Sequence, residues 1–310
     1  MTRRLSQQLR PGETHEHRVD AVLAAGRTPV QSWELLRLGG YGPALVLDGA
    51  IQSTAGDEAC YHEALHLPAQ MAHPEARRVL LIGGANGGSL PRVLLLPRLE
   101  HVTLVDVDAD LHAVSRSARA ELHGDSVADP RLRLVFGAPD EEVAALAARG
   151  ERFDLVVADT PDATEGSYSA RLFAIERIGA IRDLLADGGL FVTQAGQAHP
   201  LACRFTARVL ATLRGAFADV ALYTHNVPSF GTPWCFAMAG ADLSGLRALE
   251  PGTIDVRLAA LPQNALEAYD GETHRHMFAV PRVLRAALAR EATDAEPIRL
   301  ASPEHVVVAG

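Results

Sequence analysis

Val79-Leu-Leu-Ile-Gly-Gly-Ala-Asn-Gly-Gly88 is the stretch on which the reading of the fold turns. Four apolar residues in a row, without polar alternation, describe a strand buried on both faces, as in a parallel sheet. The glycine cluster that follows bends the chain tightly and opens a helix, so a ligand can approach bare backbone at a helix N-terminus. The next apolar run, Val102-Thr-Leu-Val105, ends at Asp106, about 20 residues on, where a carboxylate can accept the hydroxyl hydrogens of a ribose. Together the two features predict a nucleoside-containing ligand. A glycine turn that serves only helix–strand packing is the bland alternative. A dinucleotide is the chemical one, although Gly-Gly-x-x-Gly-Gly departs from its Gly-x-Gly-x-x-Gly form.

Outward from this core, apolar runs recur at 132–136, 155–158, 190–193, 220–223 and 235–239. Helical patterns fill 111–122, 140–148, 171–185 and 203–217, so the prediction is a doubly wound α/β protein. On the N-terminal side, residues 28–53 read as short β segments punctuated by Gly39-Gly40 and Asp48-Gly49, a small antiparallel sheet. Residues 58–71 read as a helix that Pro68 kinks or ends early. The first 17 residues are polar and are expected to fray. The predicted organisation is a flexible tail at 1–17, an N-terminal β domain at 18–72 and a Rossmann-like domain at 73–310. Residues 259–308 fit no pattern well enough to be placed.

Bulk properties exclude several classes. A net charge of −9 over 310 residues speaks against nucleic acid and suits a cationic small molecule. No apolar run approaches membrane-spanning length and the first residues lack a signal-peptide core, so no membrane association and a cytoplasmic location are expected. Cys60, Cys203 and Cys235 show no ligand spacing; they read as free buried thiols, and no metal is expected.

After the fourth predicted strand of the large sheet comes Asp159-Thr-Pro-Asp162. Two acids at the ends of a short turn, at the carboxyl edge of the sheet, can face one crevice. An alkylammonium has a pKa of about 10, so a carboxylate that binds the cation and takes its proton makes it a nucleophile. The competing role for Asp159 and Asp162 is turn formation and helix capping. In the loop 137–141, where an adenine would lie, Asp140 either accepts from its exocyclic amine or caps the next helix. Tyr61, His62 and Glu63 add polar groups at the junction of the two domains. His62 has no partners at metal-ligand spacing.

Several stretches taken together resemble the spermidine synthases, more closely the bacterial polyamine aminopropyltransferases. They are Leu45-Val-Leu-Asp-Gly-Ala-Ile-Gln52, Asp57-Glu-Ala-Cys-Tyr-His-Glu-Ala-Leu65, the glycine loop, Val102-Thr-Leu-Val-Asp-Val-Asp108, the Asp159 turn, Asn226-Val-Pro-Ser-Phe-Gly231 and Thr273-His-Arg-His-Met-Phe278. The resemblance covers residues 28 to 285. It implies an N-terminal β domain, a Rossmann-like, methyltransferase-type catalytic domain and a homodimer or homotetramer. It assigns Gln31, Gln52, Gly83, Gly84, Asn86, Gly87, Asp106, Ala138 and Asp140 to the donor, decarboxylated S-adenosylmethionine. Tyr61, Asp159 and Asp162 would hold the amine, with Asp159 taking its proton, and Gln194 and Phe230 would line the same cavity. Departures accompany it. Asn86 stands where the family usually has an acid, Ala138 replaces another, and Ala163 replaces a proline. A neutral Asn86 would not repel a carboxylate, so intact S-adenosylmethionine, with N-methyl or aminocarboxypropyl transfer to a non-polyamine acceptor, is the alternative. A ligand-binding scaffold without catalysis is the third reading.

Overall fold

The chain folds around two sheets, seen in a computed structural model that describes residues 3–84, 86–118, 125–161, 172–262 and 265–300. The first is an antiparallel meander of β1 (Arg4–Arg10), β2 (Glu13–Arg27), β3 (Ser32–Leu38), β4 (Gly42–Leu47) and β5 (Ala50–Thr54), paired in chain order. The β4–β5 hairpin turns on Asp48 and Gly49, both at positive φ, 45° and 83°. That is the backbone a two-residue hairpin needs to match strand twist, and Asp-Gly tolerates it.

The expected fraying tail is corrected by this sheet. Residues 4–10 pair with 13–18, from Arg4 opposite Arg18 to Arg10 opposite Glu13. The polar composition hid these strands because their stabilising partners are remote. Leu5, His17 and Val19 are buried, Gln197 Nε2 donates to the Leu9 carbonyl at 2.9 Å, and His17 Nε2 lies 3.1 Å from the Ser229 carbonyl. A second correction concerns the domain edge. The meander ends at Thr54, and helix α1 (Glu58–Ala72) packs against the large sheet instead.

That second sheet holds β6 (Arg78–Gly83), β7 (His101–Asp106), β8 (Leu132–Phe136), β9 (Phe153–Asp159), β10 (Leu185–Gln197), β11 (Asp219–Val227) and β12 (Thr232–Gly240), in the order β11-β12-β10-β9-β6-β7-β8. The five strands from β8 to β10 are parallel, and β12 runs antiparallel between β10 and β11. Successive residues of β6 serve opposite cores. Val79 and Leu81 join the α1 side with Leu65 and Leu67, while Leu80 and Ile82 join the other side with Val143, Phe191 and Leu210. The chain winds from β6 to β7 in one direction and later from β9 to β10 in the other. The carboxyl ends of β6 and β9, where Gly83 pairs with Asp159, therefore flank the switch point at which such sheets bind ligands.

The remaining helices are α2 (Ser89–Val93), α3 (Ala109–Ala118), α4 (Pro139–Ala148), α5 (Ile175–Arg182), α6 (Arg204–Ala216), α7 (Ser244–Arg247), α8 (Pro251–Leu258), α9 (Gly271–Phe278) and α10 (Arg282–Glu291). Helix α1 runs through Pro68 rather than ending there. Proline removes the amide that would bond the carbonyl four residues back. That carbonyl, on Ala64, instead accepts the Tyr223 hydroxyl at 3.1 Å. The C-terminal region that sequence patterning left unplaced is tied to α1. Fully buried Glu63 accepts the backbone N–H groups of Glu267, Ala268 and Tyr269, each at 2.9 Å.

Candidate active site

A cavity of about 910 Å³ opens at the switch point, with walls from both sheets. The meander supplies Gln8 to Pro11, Gln31, Leu47 and Gln52; the large sheet and its loops supply Gly83, Gly84, Asn86, Asp106, Pro139, Asp159 and Thr160. Tyr61, Phe230 and Trp234 form its aromatic side, the Tyr61 and Phe230 ring centroids 5.8 Å apart and those of Phe230 and Trp234 5.1 Å apart. The two sheets are locked together at Asp108, whose Oδ2 accepts from Thr28 Oγ1 at 2.7 Å and Gln31 Nε2 at 2.9 Å while Oδ1 accepts the Leu111 N–H.

The glycine turn exists to bring backbone against Asp159. Gly83 and Gly84 have φ of 81° and 80°, and a Cβ on Gly83 would stand 2.2 Å from the Asp159 carbonyl oxygen. Any other residue at position 83 is thus excluded twice, by its backbone and by space. Gly88 clears room for the His62 ring in the same manner. Gly87 does not line the cavity; its N–H donates to the Gly84 carbonyl at 2.9 Å, and Asn86 Oδ1 accepts the Gly88 N–H at 3.2 Å.

Asp159 closes the floor at 7 % exposure. Its Oδ1 accepts the Tyr61 hydroxyl at 3.2 Å and its Oδ2 accepts Ser89 Oγ at 2.6 Å, with His62 Nε2 at 3.8 Å. Burial pushes its pKa up from the ordinary carboxylate value, and the bonds from Ser89 and Tyr61 pull it back. The result is a buried carboxylate that lines the same cavity as Asp106. Asp106 ends β7 on the cavity wall, and its Oδ1 accepts the Asp108 N–H at 2.9 Å.

Gln31, Gln52, Tyr61, Gly83, Gly84, Asn86, Asp106, Asp159 and Phe230, all singled out from the sequence, therefore share one cavity. Others stand elsewhere. Gln194 is fully buried behind the wall, its Oε1 accepting from Trp234 Nε1 at 3.2 Å and the Gly196 N–H at 2.8 Å, so it braces lining residues rather than lining. Asp140 faces a smaller neighbouring pocket of about 260 Å³, paired with Arg177. Ala138 is the N-cap position of α4, with neighbouring Pro139 on the cavity wall. Asp162 lies outside the described residues. Sequence reasoning missed Ser89, His66, Asp108 and Trp234. His66 sits one helical turn after His62, and Ser89 directly follows the glycine loop, signals visible only once α1 and the loop are known to touch. Among the described residues no group of three or more His, Cys, Asp or Glu side chains converges as a metal site would.

Comparison with known proteins bears on this geometry. The family model described as the spermine/spermidine synthase domain matches residues 58–244, and that of the spermidine synthase tetramerisation domain matches residues 4–55. The boundary between them coincides with the end of the meander. A protein named polyamine aminopropyltransferase 2 from Hyperthermus butylicus is 36 % identical over 290 residues, 93 % of each chain. A polyamine aminopropyltransferase from Aeropyrum pernix is 34 % identical, covering 91 % of this chain and 90 % of that one. Among solved structures, a spermidine synthase in complex with the transition-state analogue AdoDATO superposes with a TM-score of 0.83 at 22 % identity, covering 94 % of this chain and 97 % of the other. The spermidine synthase from Thermotoga maritima gives 0.81.

Proposed function

Because the chain belongs to the spermine/spermidine synthase family, we propose that it transfers an aminopropyl group from decarboxylated S-adenosylmethionine to an amine. The observation that carries this reading is Asp159, a buried carboxylate held by Tyr61 and Ser89 at the floor of a cavity that also contains the glycine turn and Asp106. Asp106 and Gln52 bind the donor's ribose, and the backbone of the glycine turn lies along the rest of the donor. Tyr61, Asp159 and Asp162 receive the amine as its ammonium, with Phe230 and Trp234 packing against its methylenes.

The reaction balances simply. Asp159 first takes a proton from the bound ammonium and passes it to solvent, which frees the nitrogen's lone pair. The amine nitrogen then attacks the carbon bonded to the sulfonium, the C–S bond breaks, its electron pair neutralises the sulfur, and the product nitrogen remains as an ammonium. Since the leaving group is already activated, the protein contributes positioning and fixed negative charge. The Asp159→Asn variant should keep its fold and donor affinity while losing turnover by about 100-fold or more, the loss expected for a positioned base. Near-normal turnover in that variant removes Asp159 from the mechanism.

Asn86 supports a second reading of the donor. A neutral amide on the cavity wall does not repel the carboxylate of intact S-adenosylmethionine, and calorimetry with the intact and decarboxylated donors in parallel distinguishes the two. The match of residues 4–55 to a tetramerisation domain supports assembly of the chain, as homodimer or homotetramer, and sedimentation distinguishes these. Val22 and Leu23 on β2, each 48 % exposed, are apolar surface suited to such a contact. Three free cysteines suit a reducing compartment such as the cytoplasm.

A further inference from the structure

A line of buried hydrogen bonds leads away from the cavity behind Asp159, and the reaction described above makes no use of its far end. Ser89 Oγ, 2.6 Å from Asp159 Oδ2, lies 2.7 Å from His66 Nε2. Ser89 and His66 are 0 % and 1 % exposed. A serine hydroxyl has a single hydrogen. With that hydrogen on Asp159, the contact to His66 is made by Nε2–H donating to the serine oxygen. His66 Nδ1 is then the nitrogen without a hydrogen, and it is the ring atom that has no partner among the described residues. Burial, with His62 and Arg92 nearby, holds His66 well below the ordinary imidazole range, so the ring is neutral and carries one N–H.

The geometry points to Ser89 and His66 as positioning residues for Asp159, a one-way chain of donors that clamps Oδ2 and leaves Oδ1, shared with Tyr61, as the oxygen that takes the amine's proton. This inference rests on the reading of Asp159 as proton acceptor. Each link polarises the next, because a hydroxyl that accepts a hydrogen bond donates a stronger one. The short helix α2 thereby acquires its role: it presents Ser89 between α1 and β9. Among the described residues, the titratable and charged groups around the chain are Tyr61 and His62 on α1, Arg92 on α2 facing Glu63 at 3.5 Å, and Asp106 on the wall of the same cavity. The neighbouring strands place Ile82 and Gly83 on one side and Thr193 on the other, all uncharged.

The test titrates Asp159 directly in the full-length protein with carboxyl-carbon-labelled aspartate, its resonance assigned by absence in Asp159→Asn. Ser89→Ala removes a donor to the ionised carboxylate, so the Asp159 midpoint and the acid limb of kcat/KM should both move to higher pH, by about one pH unit. Ser89→Thr, which keeps the hydroxyl, should restore both. His66→Leu should move them in the same direction by less, and His66→Gln, whose amide can replace Nε2–H, should hold them near wild type. Should Ser89→Ala not fold, Ser89→Cys weakens the donor at similar volume and carries the same comparison. An unchanged midpoint in the serine variants overturns the inference, as does a threonine variant no better than alanine. Normal turnover in Asp159→Asn would instead sink the proton-acceptor reading, while the titration would still report whether Ser89 holds the carboxylate.

Discussion

Tyr223→Phe deletes one oxygen from the core, and its cost is set by a proline 155 positions earlier in the chain. The ring is fully buried, stacked against Phe236 with centroids 5.5 Å apart, and phenylalanine retains that packing. What it loses is the donor to the Ala64 carbonyl, which Pro68 has deprived of its helical partner. A stranded buried acceptor costs about 1–3 kcal/mol. In a Pro68→Ala background the amide of residue 68 returns to that carbonyl, and the same Tyr223→Phe change should cost about 1 kcal/mol less. The four variants form a double-mutant cycle with an expected coupling of about 1 kcal/mol or more. Urea unfolding followed by tryptophan fluorescence at one fixed protein concentration measures it, since subunit assembly makes apparent stability concentration-dependent. Equal costs in the two backgrounds would refute the claim that Tyr223 substitutes for the missing amide. The same helix carries Tyr61, His62 and His66.

Two further outcomes are expected. His274 is buried, with its Nδ1 2.6 Å from the Tyr269 hydroxyl, and burial depresses its pKa from 6.5 to about 4. Between those values the unfolded chain binds the extra proton, so stability falls as pH drops through that window. The loss approaches about 3 kcal/mol at 1.36 kcal/mol per pH unit, and His274→Gln should flatten the slope in pH-dependent unfolding. Asn86→Asp should shift donor preference toward the decarboxylated form in calorimetry; an unchanged ratio would mean that position 86 does not meet the donor's amino end.

The large sheet was legible because its strands are apolar on both faces, so Val79–Ile82 and Leu155–Ala158 announce themselves without partners. Asp106 and Asp159 followed from their place at strand ends. The meander was half legible: Asp48-Gly49 marks its hairpin, but β1 and the first half of β2 are polar and are held by Ser229 and Gln197, residues their own pattern does not mention. Asp140 was read into the cavity because it follows the right strand, yet Arg177, 37 positions on, draws it to the neighbouring pocket. The Ser89–His66 chain was invisible for a related reason. Serine and histidine carry no periodic signal, and their meaning arises only where α1 crosses the glycine turn.

The cavity's walls run in sequence from Gln8 to Trp234. A ribosome releasing this chain from its amino end therefore completes the cavity lining only after Trp234 has been added. Until β12 slots between β10 and β11, Phe230 and Trp234 are not in place and the cavity lacks part of its aromatic side. A chain truncated before that strand, however well its first sheet has folded, lacks the Trp234 side of the cavity.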